Sequence, residues 1–573
     1  MHKTTIETNR GWSMMAKKIV IIGGVAGGAT AAARIRRLDE SAEILLLERG
    51  NYVAYANCGL PYYVGRVIDN RNNLFIMTPQ EFKELHNIEV RVNNEVVKID
   101  RISKEVEILD NTSGNKYCEK YDYVVLSPGA EQVSLNIPGV DNNSIFVLRS
   151  FQDADFINEY INNYSPKKAV IVGAGYVGLE MAENFKRRGM SITIVEGASQ
   201  ILSPLDKDMS VLIQQHLHNL GIKLFLNNTV KSFKDFGSQG IDIELSNASP
   251  ILADIVLLCF GVKPNTKLAL ESGLEVSKGI VVNEYLQTKD ASIYAIGDAI
   301  EVKNIVTGDQ DLIPLAGPAN KQGRIAANNI CGLNERYNGS QGTSILKIYN
   351  LTAAATGANE TVLNNAGISF KKVIIHATGN ATYYPGAKSI SLKLLFSPEG
   401  KVLGGQAVGY QGVDKRIDII ASVIRMGGNI NDLKKLELSY APPFSSAKDP
   451  VNTLGFIASN IMRGDLLTIE ASDLIGRIHG DMQIVDVREL SDDEPNVIHG
   501  SLNIPLKDLR TRISELNPEK PVVTYCQVGI RSYFASRILV QKGFKQVFNL
   551  NGGYFTYNAL KTCEQMNACY SAN

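Results

Sequence analysis

The sequence predicts an α/β chain of several domains, in which two like parallel-sheet units precede an α+β segment and a smaller α/β unit. Three observations predict it. At 573 residues the chain is too long for one core, and roughly 150 residues per domain gives about four domains. A strand, glycine turn, helix and strand pattern occurs twice, as KKIVIIGGVAGGATAAARIRRLDESAEILLLE (Lys17 to Glu48) and KKAVIVGAGYVGLEMAENFKRRGMSITIVE (Lys167 to Glu196). The texture then changes twice, near residue 340 to alternating strands and near residue 468 to short apolar strands with helices between them.

In order along the chain, Ile19–Ile22 and Ala169–Val172 read as continuous apolar runs, as buried parallel strands do, and each glycine turn opens a helix. Further strands follow each unit, at Tyr123–Leu126 before Ser127-Pro128-Gly129-Ala130 and at Ile255–Phe260 before Gly261-Val262-Lys263-Pro264. The first unit then resumes. Ile293 to Ile296 form a strand ending in Gly297-Asp298, and a helix is expected from Pro318 to Ile330. The α+β segment carries strands at Ser389–Phe396 and Val402–Val408 and an amphipathic helix near Lys415–Met426. A linker at 460–467 leads to strands at Gln483–Val487 and Val522–Tyr525 and a helix at Ser532–Lys542.

Composition narrows the function. Lys plus Arg and Asp plus Glu both number 59, so no net positive field draws in nucleic acid. Seven cysteines without a Cys-x-x-Cys encode neither a disulfide scaffold nor a zinc ribbon, so any working cysteine acts singly in a reducing, cytoplasmic setting. Lys17-Lys18 before Ile19 to Ala33 imitate an export signal, but that stretch holds four glycines and is followed at once by Arg34, Arg36 and Arg37. No membrane span is expected. Residues 1–14 carry no pattern and no assigned role.

Gly173-Ala174-Gly175-Tyr176-Val177-Gly178 is a full G-x-G-x-x-G after a strand and before a helix, with Glu196 ending the next strand. Gly173 permits the turn, Gly175 lets pyrophosphate approach backbone N–H groups, and Gly178 allows helix–strand packing. Glu196 can accept from both ribose hydroxyls and would repel a 2′-phosphate, which favours NADH over NADPH. In the first unit Gly23 and Gly28 keep the pattern while Val25 replaces the central glycine, and Glu48 supplies the acid. A second dinucleotide site with Asp298 on a later strand indicates FAD. Asp298 is alternatively a helix N-cap.

Ten residues after Glu48 stands Ala56-Asn57-Cys58-Gly59-Leu60-Pro61-Tyr62-Tyr63, with no further cysteine until Cys118. Two dinucleotide units with this segment resemble the pyridine nucleotide–disulfide oxidoreductases, in their single-cysteine branch of coenzyme A-disulfide reductases, NADH oxidases and NADH peroxidases. Oxidases and peroxidases of that branch carry a histidine in the first glycine turn, where this chain has Val25 and Ala26. Tyr383-Tyr384-Pro385 and Tyr440-Ala441-Pro442-Pro443 are similar to motifs of the coenzyme A-disulfide reductases. That resemblance implies that Cys58 is the redox cysteine and that Thr30, Arg34, Arg37, Asn57 and Lys448 contact coenzyme A. It also implies that Tyr383 and Tyr440 reach the sulfur from a partner subunit. Ala54-Tyr55 and Gly317 depart from the family pattern and bear on substrate selectivity. For the arginines a solvated helix face, and for the tyrosines an aromatic core, are the other readings.

Val523-Thr524-Tyr525 runs into Cys526-Gln527-Val528-Gly529-Ile530-Arg531, and with Asp486, Arg488, His499-Gly500 and Asn551-Gly552-Gly553 this resembles a rhodanese domain over about 468–562. Backbone N–H groups and a helix N-terminus around Cys526 favour a persulfide anion. Phosphatases of that fold use a loop one residue longer, so this one suits sulfur. Arg531 closes that Cys-x4-Arg loop and is a catalytic candidate with Cys526.

The expected domains are an FAD-binding domain at 15–130 and 270–335, an NADH-binding domain at 131–269, a dimerisation domain at 336–459 and a rhodanese domain at 468–573, with no metal site. The resemblance implies NADH-driven reduction of persulfide, polysulfide or coenzyme A disulfide, using FAD, NADH and coenzyme A in a homodimer. An NADH oxidase or peroxidase, and a flavin-bearing sulfur sensor or carrier, are the alternatives.

Overall fold

The computed structural model describes residues 16–475, 481–490 and 496–571; the expected tail at 1–14 lies outside them. The stretch that imitates an export signal is part of a folded sheet. Its strand, Lys18–Ile22, is central, with Ile19, Val20 and Ile21 wholly buried, and it runs into the helix Gly27–Leu38.

The internal repeat is deeper than two βαβ motifs. The first parallel sheet orders its strands Ile293–Ala295, Tyr123–Leu126, Lys18–Ile22, Glu43–Glu48 and Glu89–Val92. The second orders Ile145–Phe146, Ile255–Leu258, Lys168–Val172, Ser191–Val195 and Lys223–Phe225. Each also carries a three-stranded antiparallel meander, at 94–120 and 230–253. The outer strand of the first sheet arrives only at Ile293, after the whole second unit, and this splits the first domain in sequence.

The α+β segment is an antiparallel sheet ordered Ser344–Ile348, Leu351–Gly357, Val402–Gly409, Ser389–Phe396 and Lys371–Thr378. The helices Val413–Arg425, Ile430–Lys435 and Pro450–Met462 join it in one core through Ile420, Leu433 and Leu454. The expected linker at 460–467 is shorter than the sequence indicates. The helix continues to Met462 and a strand begins at Leu467, because Asn460 and Asp465 are engaged by Tyr533 and Arg537.

The last unit is a parallel sheet ordered Leu467–Ile469, Val547–Leu550, Val522–Tyr525, Gln483–Asp486 and Leu502–Asn503. It docks on two elements. Its final helix, from Gly553, packs on the helix Lys207–Asn219 of the second unit. Asn551 accepts at 2.9 Å from the Ile374 amide, and His376 Nε2 lies 2.8 Å from Thr556 Oγ1.

Asp206, Asp208 and Glu360 converge closely enough to ligate a cation, but the buried ammonium of Lys393 stands among them, 3.0 Å from Asp206 and 2.6 Å from Asp208. Lys372 extends this network from Glu360 to Glu470 of the last unit.

Candidate active site

Both glycine turns are built alike. A Cβ on Gly28 would stand 1.9 Å from the carbonyl of Gly23, and one on Gly178 would stand 2.1 Å from that of Gly173, so neither helix could close on its strand with a side chain there. Gly175 differs. A Cβ there would meet no protein atom within 4 Å and its φ is −80°, so packing leaves that position free for any residue. Its bareness suits a ligand that approaches the backbone.

Glu48 and Glu196 also match. Glu48 accepts from the Gly24 and Gly50 amides at 2.8 and 2.9 Å, and Glu196 from the Ala174 and Ala198 amides at 2.7 and 2.9 Å. Each carboxylate is thereby fixed at its turn. Gly23 and Glu48 line a cleft of about 960 Å³ that also takes in Asn57, Arg149 and Asp298, within the size range of cofactor sites. Asp298 makes no capping hydrogen bond; it pairs with Arg149 at 3.2 Å, so the N-cap reading does not hold. A glycine turn, a fixed acid and a cleft of this size fit FAD.

Cys58 lies on a single turn, Asn57–Gly59, directly after the first unit. The residue is exposed, and its amide donates to Asn57 Oδ1 at 3.0 Å. Protein crowds its sulfur nonetheless. That desolvation, reinforced by the Glu180 and Asp298 carboxylates and opposed by Arg149, holds the thiol above its usual range. Glu180 comes from the NADH-side helix Tyr176–Arg187 and accepts from Tyr62 Oη at 3.2 Å. Burial pushes its carboxyl up to about 7, with Tyr62 opposing and Glu183 adding to the rise. The ion pair within that helix is Glu183 with Arg187, at 2.8 Å.

The residues expected at coenzyme A are divided. Thr30 donates to Asn320 at 2.5 Å and Arg34 Nε to Asn328 at 2.8 Å, both tying the first helix to Ala316–Ile330. Arg37 and Lys448 are exposed. Among the described residues no carboxylate pairs with Arg34, Arg37 or Lys448, so their charge is available to an anion. Tyr383 and Tyr440 are 73% and 48% exposed, which excludes the aromatic-core reading, and their hydroxyls lie 3.0 Å apart.

Cys526 ends the strand Val522–Tyr525 and is buried. The Gly529 amide donates to its sulfur at 3.2 Å and Ser532 Oγ at 3.6 Å. Burial raises the thiol's pKa, but bonds from the Ser532 side chain and from the Ser532, Val528 and Gly529 amides outweigh it, and the net shift is downward. Loop carbonyls are held away from the sulfur: Cys526 O and Gln527 O accept from the Tyr554 and Phe555 amides at 2.8 and 3.0 Å. Arg488, gripped by Asp486 at 2.7 Å, donates to Gln527. Arg531 is exposed, and Ser532, the next residue, reaches the sulfur. Ser532 is visible in sequence only as a hydroxyl in the helix's first turn.

Residues 17–323 match the pyridine nucleotide-disulphide oxidoreductase family, 343–450 its dimerisation domain, and 470–560 the rhodanese-like domain. The chain belongs to the pyridine nucleotide-disulphide oxidoreductases, with the FAD- and NADH-binding fold of that family and a rhodanese domain at its C-terminal end. It is similar in structure to reduced Bacillus anthracis CoADR-RHD, at 42% identity and a TM-score of 0.93, covering 96% of this chain and 99% of that one. The NAD-dependent persulfide reductase of A. fulgidus shares 36% identity with a TM-score of 0.88, over 94% of this chain and 100% of that one. The coenzyme A disulfide reductase of Staphylococcus haemolyticus is 34% identical over 452 residues, 78% of this chain and all of that one. Among the described residues no helix is long and apolar enough to cross a membrane.

Proposed function

We propose that the chain is an NADH-dependent flavoprotein that reduces persulfide, polysulfide or coenzyme A disulfide sulfur at Cys58 and carries sulfane sulfur on Cys526. One observation carries this reading: an exposed cysteine next to Asn57 of the dinucleotide cleft and a buried cysteine in a donor-lined loop, neither paired with another cysteine among the described residues. Gly23, Gly28, Glu48 and Asp298 would hold FAD, and Gly173, Gly175, Gly178 and Glu196 would hold NADH. Bound there, FAD supplies the two-electron carrier between NADH and sulfur. Cys526 takes up a sulfane sulfur as its persulfide, whose negative charge the Gly529 and Ser532 donors stabilise, and yields it to a small thiol. Cys58 forms a disulfide or persulfide with the incoming sulfur. Two electrons entering that bond break it, so that RSSH, NADH and a proton become RSH, H₂S and NAD⁺.

Thr30, Arg34, Arg37, Asn57 and Lys448 are proposed to bind coenzyme A, the cations meeting its phosphates. Tyr383 and Tyr440 are proposed to donate to the reacting sulfur from the partner subunit of a homodimer, a role their exposure supports. A cytoplasmic site of action suits cysteines that work as free thiols. Cys58→Ser should abolish NADH-driven release of sulfide from every substrate, whereas Cys526→Ser should slow turnover only with donors that load the rhodanese loop. Full persulfide turnover in Cys58→Ser would overturn the scheme.

A further inference from the structure

The two tyrosines stand on separate loops, and with both phenols exposed, side-chain packing does not fix the 3.0 Å between their hydroxyls. What joins the loops lies beneath them. Arg416, on the helix Val413–Arg425, is 1% exposed. Its Nη2 donates at 2.9 Å to the carbonyl of Gly379, at the root of the Tyr383 loop. The same nitrogen donates to Ser445 Oγ and Asp449 Oδ2, each at 3.1 Å, on either side of Lys448 in the Tyr440 loop. Ser445 donates to that carboxylate oxygen at 2.7 Å, and Asp449 Oδ1 caps the next helix through the Val451 amide at 2.9 Å. The loops also meet directly, where the Ala381 amide donates to Pro442 O at 3.1 Å, and Lys415 reaches Ser439 O at 3.4 Å.

A buried guanidinium–carboxylate pair is a poor source of net stability, because desolvation offsets its attraction. Here the Nε is left without any partner, so the charge is not even fully satisfied. The bonds from its Nη2 run to the two loops that carry the tyrosine pair and Lys448. We propose that Arg416 is the positioning residue of this site: one buried guanidinium pins the roots of both loops and thereby sets the register of Tyr383 against Tyr440. The inference rests on the proposed role of those tyrosines at sulfur. A lysine at 416 keeps the charge, but its nitrogen ends one bond short of the Nη2 position from which both loops are bonded. Gly412 offers a second way in, since a Cβ there would stand 2.0 Å from Arg416 Nη1 at a φ of +70° and would displace the guanidinium without removing it.

The test uses the flavin-loaded enzyme with fluorotyrosine at position 383, read by fluorine NMR. Tyr440→Phe defines the resonance position when the phenol–phenol bond is lost. Arg416→Lys and Gly412→Ala should both move the resonance to that position. They should also lower persulfide kcat by roughly tenfold or more, as displaced catalytic groups do. NADH–ferricyanide turnover, which needs no sulfur chemistry, should stay within about twofold of wild type. Should either variant fail to fold, the other decides. A wild-type resonance in a folded variant overturns the positioning role. If the resonance moves but Tyr440→Phe keeps full persulfide turnover, Arg416 does set the pair, and it is the tyrosines' role at sulfur that fails.

Discussion

The two cysteines show how one residue type is given two chemistries by its neighbours. Cys526 is buried yet shifted toward thiolate because amide and hydroxyl donors surround its sulfur; Cys58 is exposed yet held as a thiol by crowding and by two carboxylates. Glu180, one of those carboxylates, leads to a pH prediction. An unfolded glutamate titrates near 4.3, whereas burial pushes Glu180 up to about 7 in the folded chain. Between those values the native state keeps a proton that the unfolded state has lost, so Glu180's contribution to stability falls as pH rises across that window. Glu180→Gln has no proton to lose. Its stability relative to wild type, from denaturant unfolding, should therefore improve between pH 5 and pH 8, and an unchanged difference at the two pH values would refute the assignment.

At the scale of elements, the two glycine turns are the same device with separable parts. Gly178→Ala forces a Cβ against the Gly173 carbonyl and should lower the unfolding midpoint, whereas Gly175→Ala meets no protein atom. The second variant should fold like wild type and raise the KM for NADH; unchanged NADH affinity would show that the turn does not face the nucleotide. These turns, and the Cys526 loop, were legible in sequence because their function is local: spacing alone places the glycines, the acid and the loop cysteine. What sequence missed is what distant segments make together. Arg149 meets Asp298, Tyr62 meets Glu180 and Arg416 meets Gly379 only after the chain has folded, and no periodicity records such pairs. Ser532 was missed for a related reason, as the first turn of its helix aims it at the sulfur only once the loop has folded. The meanders were missed because their strands are short and half-exposed, with little apolar run to read.

At the scale of the molecule, the domains are tied by charge as well as by apolar contact. Lys393 sits on the dimerisation sheet, Asp206 and Asp208 belong to the NADH-side unit, and Glu360 relays through Lys372 to Glu470 of the rhodanese unit. Lys393 is fully buried, so its ammonium gives up hydration that only three carboxylates can replace. Such a network adds little over an apolar core when intact, but removing Lys393 leaves Asp206 and Asp208 without a cation while Glu360 keeps Lys372, and breaking a buried pair costs about 3–5 kcal/mol. Lys393→Met should therefore lower chemical stability by about that amount, and adding Asp208→Asn should recover part of it by removing one stranded charge. The contribution would differ from that of an ordinary surface pair, worth about 0–1 kcal/mol. A loss of that smaller size, measured by denaturant unfolding of the full chain, would mean that the sheet and its neighbours are held by apolar packing and that the buried charges are incidental to how the three units stay together.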